Sequence, residues 1–528
     1  MSNPLQRELT RLVRRTELDF ERRGHGRFGQ RFHLMPPVGW LNDPNGLCQK
    51  DGIFHAYFQY APFDARGGLK FWGHSTSRDL LTWDYDRAVL LPDEPFDCHG
   101  VYSGSAIVSD DRISVLYTGN VKRDSSDASF DYVSAGRDAA TVLVESADGT
   151  HFGSKRVVLS GEDYPGDLTC HVRDPKIWRE NDRFLMVLGA RRRTGCSVRE
   201  DSGRHDARSK ERSDRGEVLV YESRDLRIWT LINRITSAER LGYMWECPDC
   251  FTLPCESPRP DRPVRVPDEI PSATSPSAAR GASITLLSFC PQGLAGEPWD
   301  RRNRYQSGYA RLRGGIAGTC EVADFELWDA GFDFYAAQTF QTRDDRRILI
   351  GWMGMADVDS YGNDPTVADG WQHCFSLPRE IHATSSGRVL QRPVRELDAL
   401  HGRSSTATGS MRTGVSAAFD VEISRISKQF SALLHGELQL SWKQAEAGLP
   451  TRFEMRFVDP ARSSAGCGRK LRWEPLENLA SVRIVADTSS VEVFVNDGEL
   501  VMSTRCYPRE RSLSVSSADS IIRYREIG

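Results

Sequence analysis

A hairpin recurs five times between residues 43 and 354, and this recurrence restricts the fold more than any single segment does. Each copy starts at a polar or acidic residue, runs through a strand to a charged turn, and returns in a strongly apolar strand. The copies are 43–60, 103–119 turning at Asp110-Asp111, and 174–190 turning at Glu180-Asn181-Asp182. A fourth starts at Glu246 and resumes at 284–289 after a swollen turn; the fifth is 338–354, turning at Arg343-Asp344-Asp345. Five such units in succession predict a five-bladed β-propeller, in which the innermost strands all start around one channel. That geometry would gather Asp43, Asp174 and Glu246 into one pocket. A second repeat, Ser-x-Asp-Leu-x-x-Trp, stands at 77–83 and 223–229, with a looser copy at 146–152.

The rest of the chain divides around this block. Residues 4–20 carry Leu5, Leu9, Leu12, Val13 and Phe20 at helical spacing and predict an amphipathic helix docked on the main domain, within an N-terminal extension of residues 1–29. Gly24, Gly26 and Gly29 match G-x-G-x-x-G, but no apolar strand precedes them and no helical pattern follows, so they do not predict a nucleotide site. The propeller is expected over 30–383, a linker over 384–402, and a β-sandwich over 403–528. In the last segment strands are expected at 418–423, 436–442, 452–458, 482–486 and 491–495, with a turn at Asn496-Asp497-Gly498. The expected fold class is therefore all-β: a five-bladed propeller followed by a C-terminal sandwich. The Arg/Ser/Asp-rich stretch 191–216 and the Pro/Ser/Ala-rich stretch 256–282 are expected to be surface insertions.

Composition narrows the function. A net charge of −4 leaves no basic footprint for nucleic acid, and no stretch is apolar and long enough to span a membrane. Twelve scattered cysteines without an apolar leader point to a reducing cytoplasm. Cys247 and Cys250 form a C-x-x-C, but an odd separation along a strand directs them to opposite faces, and no second pair completes a metal set, so neither metal nor cofactor is expected.

The chemistry lies in three carboxylates. Asp43 sits in Trp40-Leu41-Asn42-Asp43-Pro44-Asn45-Gly46, a rigid corner at the head of an apolar strand. Asp174 repeats the Asp-Pro pair, with Arg173 beside it to favour its ionised form. Glu246 lies between Trp245 and Cys247-Pro248, and apolar neighbours of that kind would raise its pKa into the range of a proton donor. Glycoside hydrolysis needs this division: one carboxyl protonates the leaving oxygen while another attacks the anomeric carbon or activates water.

Residues spread over most of the chain resemble glycoside hydrolase family 32, the β-fructofuranosidases. The matching segments include 33–46, Phe58-Gln59-Tyr60, Tyr102-Ser103-Gly104-Ser105, Arg173-Asp174-Pro175, 245–249, Tyr305-Gln306-Ser307-Gly308-Tyr309, Ile350-Gly351-Trp352-Met353-Gly354 and Leu377-Pro378-Arg379-Glu380. The resemblance implies a retaining hydrolase that releases fructose from sucrose, sucrose 6-phosphate or short fructo-oligosaccharides. Asp43 would be the nucleophile, Glu246 the acid/base and Asp174 the transition-state stabiliser. Asn42, Gln59, Ser103, Arg173 and Trp352 would line the fructose pocket. One departure is Gly67, which falls where many members carry a tryptophan wall; Phe63 and Phe71 are the nearby candidates to replace it. For a substrate phosphate, Arg66, Lys70 and the Arg191–Arg193 run are the candidate cations. A fructosyltransferase would use the same residues, an arabinose- or xylose-acting propeller enzyme would lack the Asn-Asp-Pro-Asn-Gly segment, and a sugar-binding protein would not need all three acids. The expected partner is a small sugar; the sequence does not define an oligomeric state.

Overall fold

The computed structural model describes residues 3–126, 130–194, 214–256, 282–294, 303–357, 362–446, 448–459, 461 and 469–528. The five hairpins form the inner pairs of five blades. Their innermost strands are Gly39–Lys50, Val101–Ser109, Leu168–Glu180, Met244–Glu256 and Tyr335–Gln341. Each blade adds two further antiparallel strands outward, and each innermost strand lies against the next around a ring that returns to the first. The ring closes where Trp371-Gln372, late in the fifth blade's sequence, pairs in parallel with Gly39-Trp40. The expected turns hold: Asp110, Asp111, Asn181 and Asp345 all take the left-handed backbone that acidic and amide turn residues tolerate.

The Ser-x-Asp repeat is the turn from third to fourth strand in blades one to three. In the first, the Ser77 hydroxyl accepts from the Asp79 and Leu80 amides while Asp79 Oδ1 accepts from those of Leu81 and Thr82. Asp148 and Asp225 bond in the same pattern. The residue after the aspartate is left-handed in every copy, as Leu80, Gly149 and Leu226, so the looser copy places glycine where the backbone most readily accepts it.

The N-terminal helix spans Pro4–Glu21, capped by Asn3, whose side chain accepts from the Gln6 amide. Its docked face is narrower than the apolar residues suggested. Val13 and Phe20 are buried and Leu9 packs at their margin, but Leu5 and Leu12 face solvent. The remaining buried contact is a carboxylic acid: Glu17 accepts hydrogen bonds from Tyr85 at 2.5 Å and Tyr60 at 3.3 Å.

The second domain is a two-layered sandwich around one apolar core. Strands occur at Phe419–Ser424, Leu438–Lys443, Arg452–Phe457, Ser481–Asp487 and Ser490–Val495, near the expected positions. The layers are joined by a long pair not read from the sequence, His401–Gly414 with Ser512–Ile527. The latter strand pairs with Phe430–Leu434 over its first part and with Phe419–Ser424 over its last. The expected linker is also more ordered than foreseen: Val389–Pro393 is the outer strand of the fifth blade, pairing with Arg379–Thr384. Of the two expected insertions, Arg191-Arg192 and Arg215-Gly216 belong to strands, and 195–213 and 257–281 lie outside the described residues. Among the described residues no helix is long and apolar enough to cross a membrane.

Candidate active site

The innermost strands share one irregularity, and the site is built on it. In each, the ladder with its neighbour slips near the strand's first residues. The slip falls at Asn42-Asp43 in the first blade, Ser103 in the second, Asp174-Pro175 in the third, Cys247-Pro248 in the fourth and Ala336-Ala337 in the fifth. A β-bulge frees a residue from pairing and re-aims its side chain. Proline at positions 175 and 248 costs no ladder bond because a bulge asks for none. Asp174, Cys247 and Ala336 have φ of 67°, 47° and 51°, left-handed backbone that turns the chain at the channel's end.

The bulges bring together the three carboxylates expected to meet. Asp43 accepts from Ser103 Oγ at 2.5 Å, Asn42 Nδ2 at 3.1 Å and Gln59 Nε2 at 3.4 Å. Asn42 Nδ2 also donates to Gln59 Oε1 at 2.9 Å, and Gln59 Nε2 donates to Ser103, so four expected site residues form one network. Asp174 accepts from the Cys247 amide at 3.0 Å, while the Cys247 thiol stands 3.7 Å from Asp174 and 3.9 Å from Asp43. Glu246 Oε1 takes Arg173 Nε at 3.1 Å and a second Arg173 bond from Nη2; Oε2 takes Tyr335 at 2.5 Å and Gln292 at 2.9 Å.

This surrounding corrects one sequence expectation. Trp245 and Cys247 lie beside Glu246 in the chain, but Trp245 points to the other face of the strand and the bulge re-aims Cys247, so each enters its own apolar cluster. The Glu246 carboxylate therefore meets Arg173, Gln292 and Tyr335 rather than an apolar wall. Arg173 is shared, lying 3.8 Å from Asp174, and its ion pairs hold its pKa above the usual guanidinium value despite burial. Burial also raises Asp174, up to about 7; Arg173 opposes the rise, and the charges of Glu246 and Asp43 add to it. Asp43 is raised by burial too, with Ser103 and Asn42 opposing and Glu246 adding.

Trp352 lies at the end of the fifth blade's second strand, buried among Trp40, Tyr335 and His373, and its indole N–H has no hydrogen-bond partner. Trp40 donates to Asn42 Oδ1 at 2.9 Å and carries the Lys70 ammonium 4.9 Å above its ring. Gly67 lies against the same indole, while Phe71 is buried in the first blade's core and Phe63 is half-exposed at its edge. Trp40, with Lys70 over its ring, is the aromatic that lies beside Gly67. The sequence assigns Tyr335 and Gln292 no role at the site; it marks Trp40 only as part of the 40–46 corner, and Lys70 only as a candidate cation for a phosphate. Tyr335 lies three residues before the fifth hairpin's apparent start at Gln338, and extending that copy backward to match the bulge positions would have found it. Cys247 and Cys250 are buried in different clusters.

A five-bladed propeller with three acids and one arginine closing its channel defines a glycoside hydrolase. Residues 33–199 and 207–393 match the Glycosyl hydrolases family 32 N-terminal domain, and residues 450–521 match the family 32 C-terminal domain. The chain belongs to glycosyl hydrolase family 32. It is 36% identical to a sucrose-6-phosphate hydrolase of Klebsiella pneumoniae over 90% of this chain and 88% of that one. It is 34% identical to the Escherichia coli protein of the same name over 95% and 94%. A Bombyx mori family 32 β-fructofuranosidase structure superimposes with a TM-score of 0.76 at 26% identity, covering 99% of this chain and 98% of that one.

Proposed function

We propose that the chain is a retaining β-fructofuranosidase that releases the terminal fructosyl unit of sucrose and related small sugars. The observation that carries this reading is the division of donors among the three acids. Asp43 is held by neutral donors, Ser103, Asn42 and Gln59, which orient it and leave its charge uncompensated. Such a carboxylate suits attack on the fructosyl anomeric carbon. Glu246 is gripped on both oxygens and suits proton delivery to the departing oxygen, then proton removal from the water that releases fructose. Asp174 and Arg173 set opposite charges beside the oxocarbenium-like transition state. Asn42, Gln59, Ser103 and the Trp352 N–H supply donors and acceptors for fructose hydroxyls.

The relatives named for sucrose 6-phosphate favour a disaccharide over a long fructan. The described cysteines are all free, which fits a reducing cytoplasm. The propeller, from about residue 30 through the strand ending at Pro393, is the catalytic unit, and 403–528 is its support. The test is incubation of purified protein with sucrose and methanol. Free fructose with methyl β-fructofuranoside is the expected product pair. The α-anomer would overturn retention, and oligosaccharides with little fructose would favour the transferase.

A further inference from the structure

On the Glu246 side of the pocket, three buried nitrogen donors have no hydrogen-bond partner among the described residues: Arg137 Nε, His171 Nε2 and an Arg191 Nη. Topology puts them together. His171 is in the first strand of the third blade, Arg191 is the penultimate residue of its second strand, and Arg137 opens the third strand of the second blade, all at the channel's carboxylate end. Arg173, which holds Glu246, donates from Nη1 to His171 Nδ1 at 3.3 Å. An acceptor at Nδ1 fixes the neutral ring's proton on Nε2, so all three open atoms are N–H donors. His171 is kept neutral, down to about 2, by burial and by the charges of Arg173, Arg137 and Arg191.

The cations are held in place yet not used up. Arg191 is 3% exposed, donates from Nε to Asp214 at 2.7 Å and lies 4.5 Å from the Tyr243 ring. Arg137 donates from Nη2 to the Tyr132 hydroxyl at 3.0 Å, a phenol rather than an acid, and the Tyr132 ring stands edge-on to His171. Three unpartnered donors at neighbouring strand ends, one of them on an arginine that no acid among the described residues pairs, ask for a ligand that only accepts and carries negative charge. Arg191, named from the sequence among the candidate phosphate cations but placed in a surface insertion, is the most buried of them. Arg66 by contrast is exposed and pairs loosely with Asp364 at 3.6 Å.

We infer that Arg137, His171 and Arg191 form a phosphoryl-binding subsite for the leaving sugar, placed beyond the proton donor where the departing glucosyl unit carries its phosphate. This inference rests on the proposed fructosyl release, since it takes Glu246 to mark the leaving-group side. The phosphoryl group could come from the substrate or from free phosphate, and the experiment separates them. For the wild type, kcat/KM for glucosyl-phosphorylated sucrose 6-phosphate is expected to exceed that for sucrose at least tenfold. In Arg137→Gln the ratio should fall about tenfold, with partial recovery in Arg137→Lys. An equal wild-type preference for both sugars, or an unchanged ratio in Arg137→Gln, would overturn the subsite. Calorimetry on the Asp43→Asn protein reads binding without turnover. Sucrose 6-phosphate should bind more tightly than sucrose and be displaced by inorganic phosphate; phosphate that binds without displacing it would assign the donors to a separate effector and overturn the proposal. Loss of fructose release from both sugars in the wild type would instead break the reaction assignment, and the calorimetry would still decide the subsite.

Discussion

Two of this molecule's buried charge clusters, the domain junction and the channel, treat their acids differently. At the junction of propeller and sandwich, Arg379 is fully buried and donates to Glu492 at 2.6 Å, Asp329 at 3.0 Å and Gln391 at 3.1 Å. His33 bridges Asp487 at 2.9 Å and Glu492 at 3.0 Å; with an acid at each nitrogen both must donate, which makes it an imidazolium. Asp487 also takes the Arg31, Phe32 and Thr488 amides. Burial works to raise Asp487 and Glu492, but their donors win and both end below the ordinary carboxylate value. In the channel the same burial prevails, and Asp43 and Asp174 end above it. Asp329, also bonded to Arg379, is the junction acid that burial still raises; for Asp487 and Glu492 the junction's donors hold two domains together, whereas the channel leaves Asp43 and Asp174 with lone pairs for a substrate to meet.

Substitutions at the two clusters should therefore fail in different ways. The largest effect is expected in the channel: Asp43→Asn or Glu246→Gln should lower the rate of fructose release about 10³-fold or more without lowering the melting temperature. Near-normal turnover in either would break the role assignment. Next comes the junction, where Arg379→Met strands Asp329 and Glu492 without their cation and should cost about 3–5 kcal/mol in urea unfolding. A loss below about 1 kcal/mol would place that cluster among dispensable ion pairs.

Asp174→Asn sharpens the comparison in the opposite direction. The unfolded Asp174 loses its proton near its ordinary value, while the folded one keeps it up to about 7. Between those values the native state binds more protons, so stability falls as pH rises. The variant should match the wild type near pH 4 and exceed it by about 1–3 kcal/mol near pH 7, while losing activity. A wild type more stable at pH 7 than this variant would show Arg173 fully compensating Asp174. The smallest effect is expected at Glu17, also raised by burial but supported by two tyrosine hydroxyls. Glu17→Gln keeps an acceptor for both and should shift stability by about 1 kcal/mol or less, read by thermal melts at pH 5 and 8.

How far the sequence anticipates this molecule depends on whether a feature repeats. The blades were legible because the hairpin pattern occurs five times and its turns carry acidic and amide residues that accept left-handed backbone. The long pair 401–414 and 512–527 was not, since Ser, Thr and Arg crowd both strands and their pairing joins segments a hundred residues apart. Val389–Pro393 was hidden by the proline that ends it, which an outermost strand tolerates because nothing pairs beyond it. At the site, Asp43, Asp174 and Glu246 could be picked out by their matching places in successive hairpins. Glu246's surroundings could not, because its chain neighbours point away from it and its real contacts, Tyr335 and Gln292, come from other strands.

The five bulges carry a consequence for how such a chain can change over evolution. Each innermost strand has a short stretch excused from ladder bonding, and these stretches now hold Asn-Asp, Ser, Asp-Pro, Cys-Pro and Ala-Ala. The blades' hydrogen-bond ladders pass these positions by, so the residue types there are released from the constraint that fixes the strands around them. The ring behaves as a rack of five sockets: two hold the acids Asp43 and Asp174, Ser103 orients Asp43, Cys247-Pro248 directly follows the ladder-paired Glu246, and the Ala336-Ala337 socket carries only methyl groups.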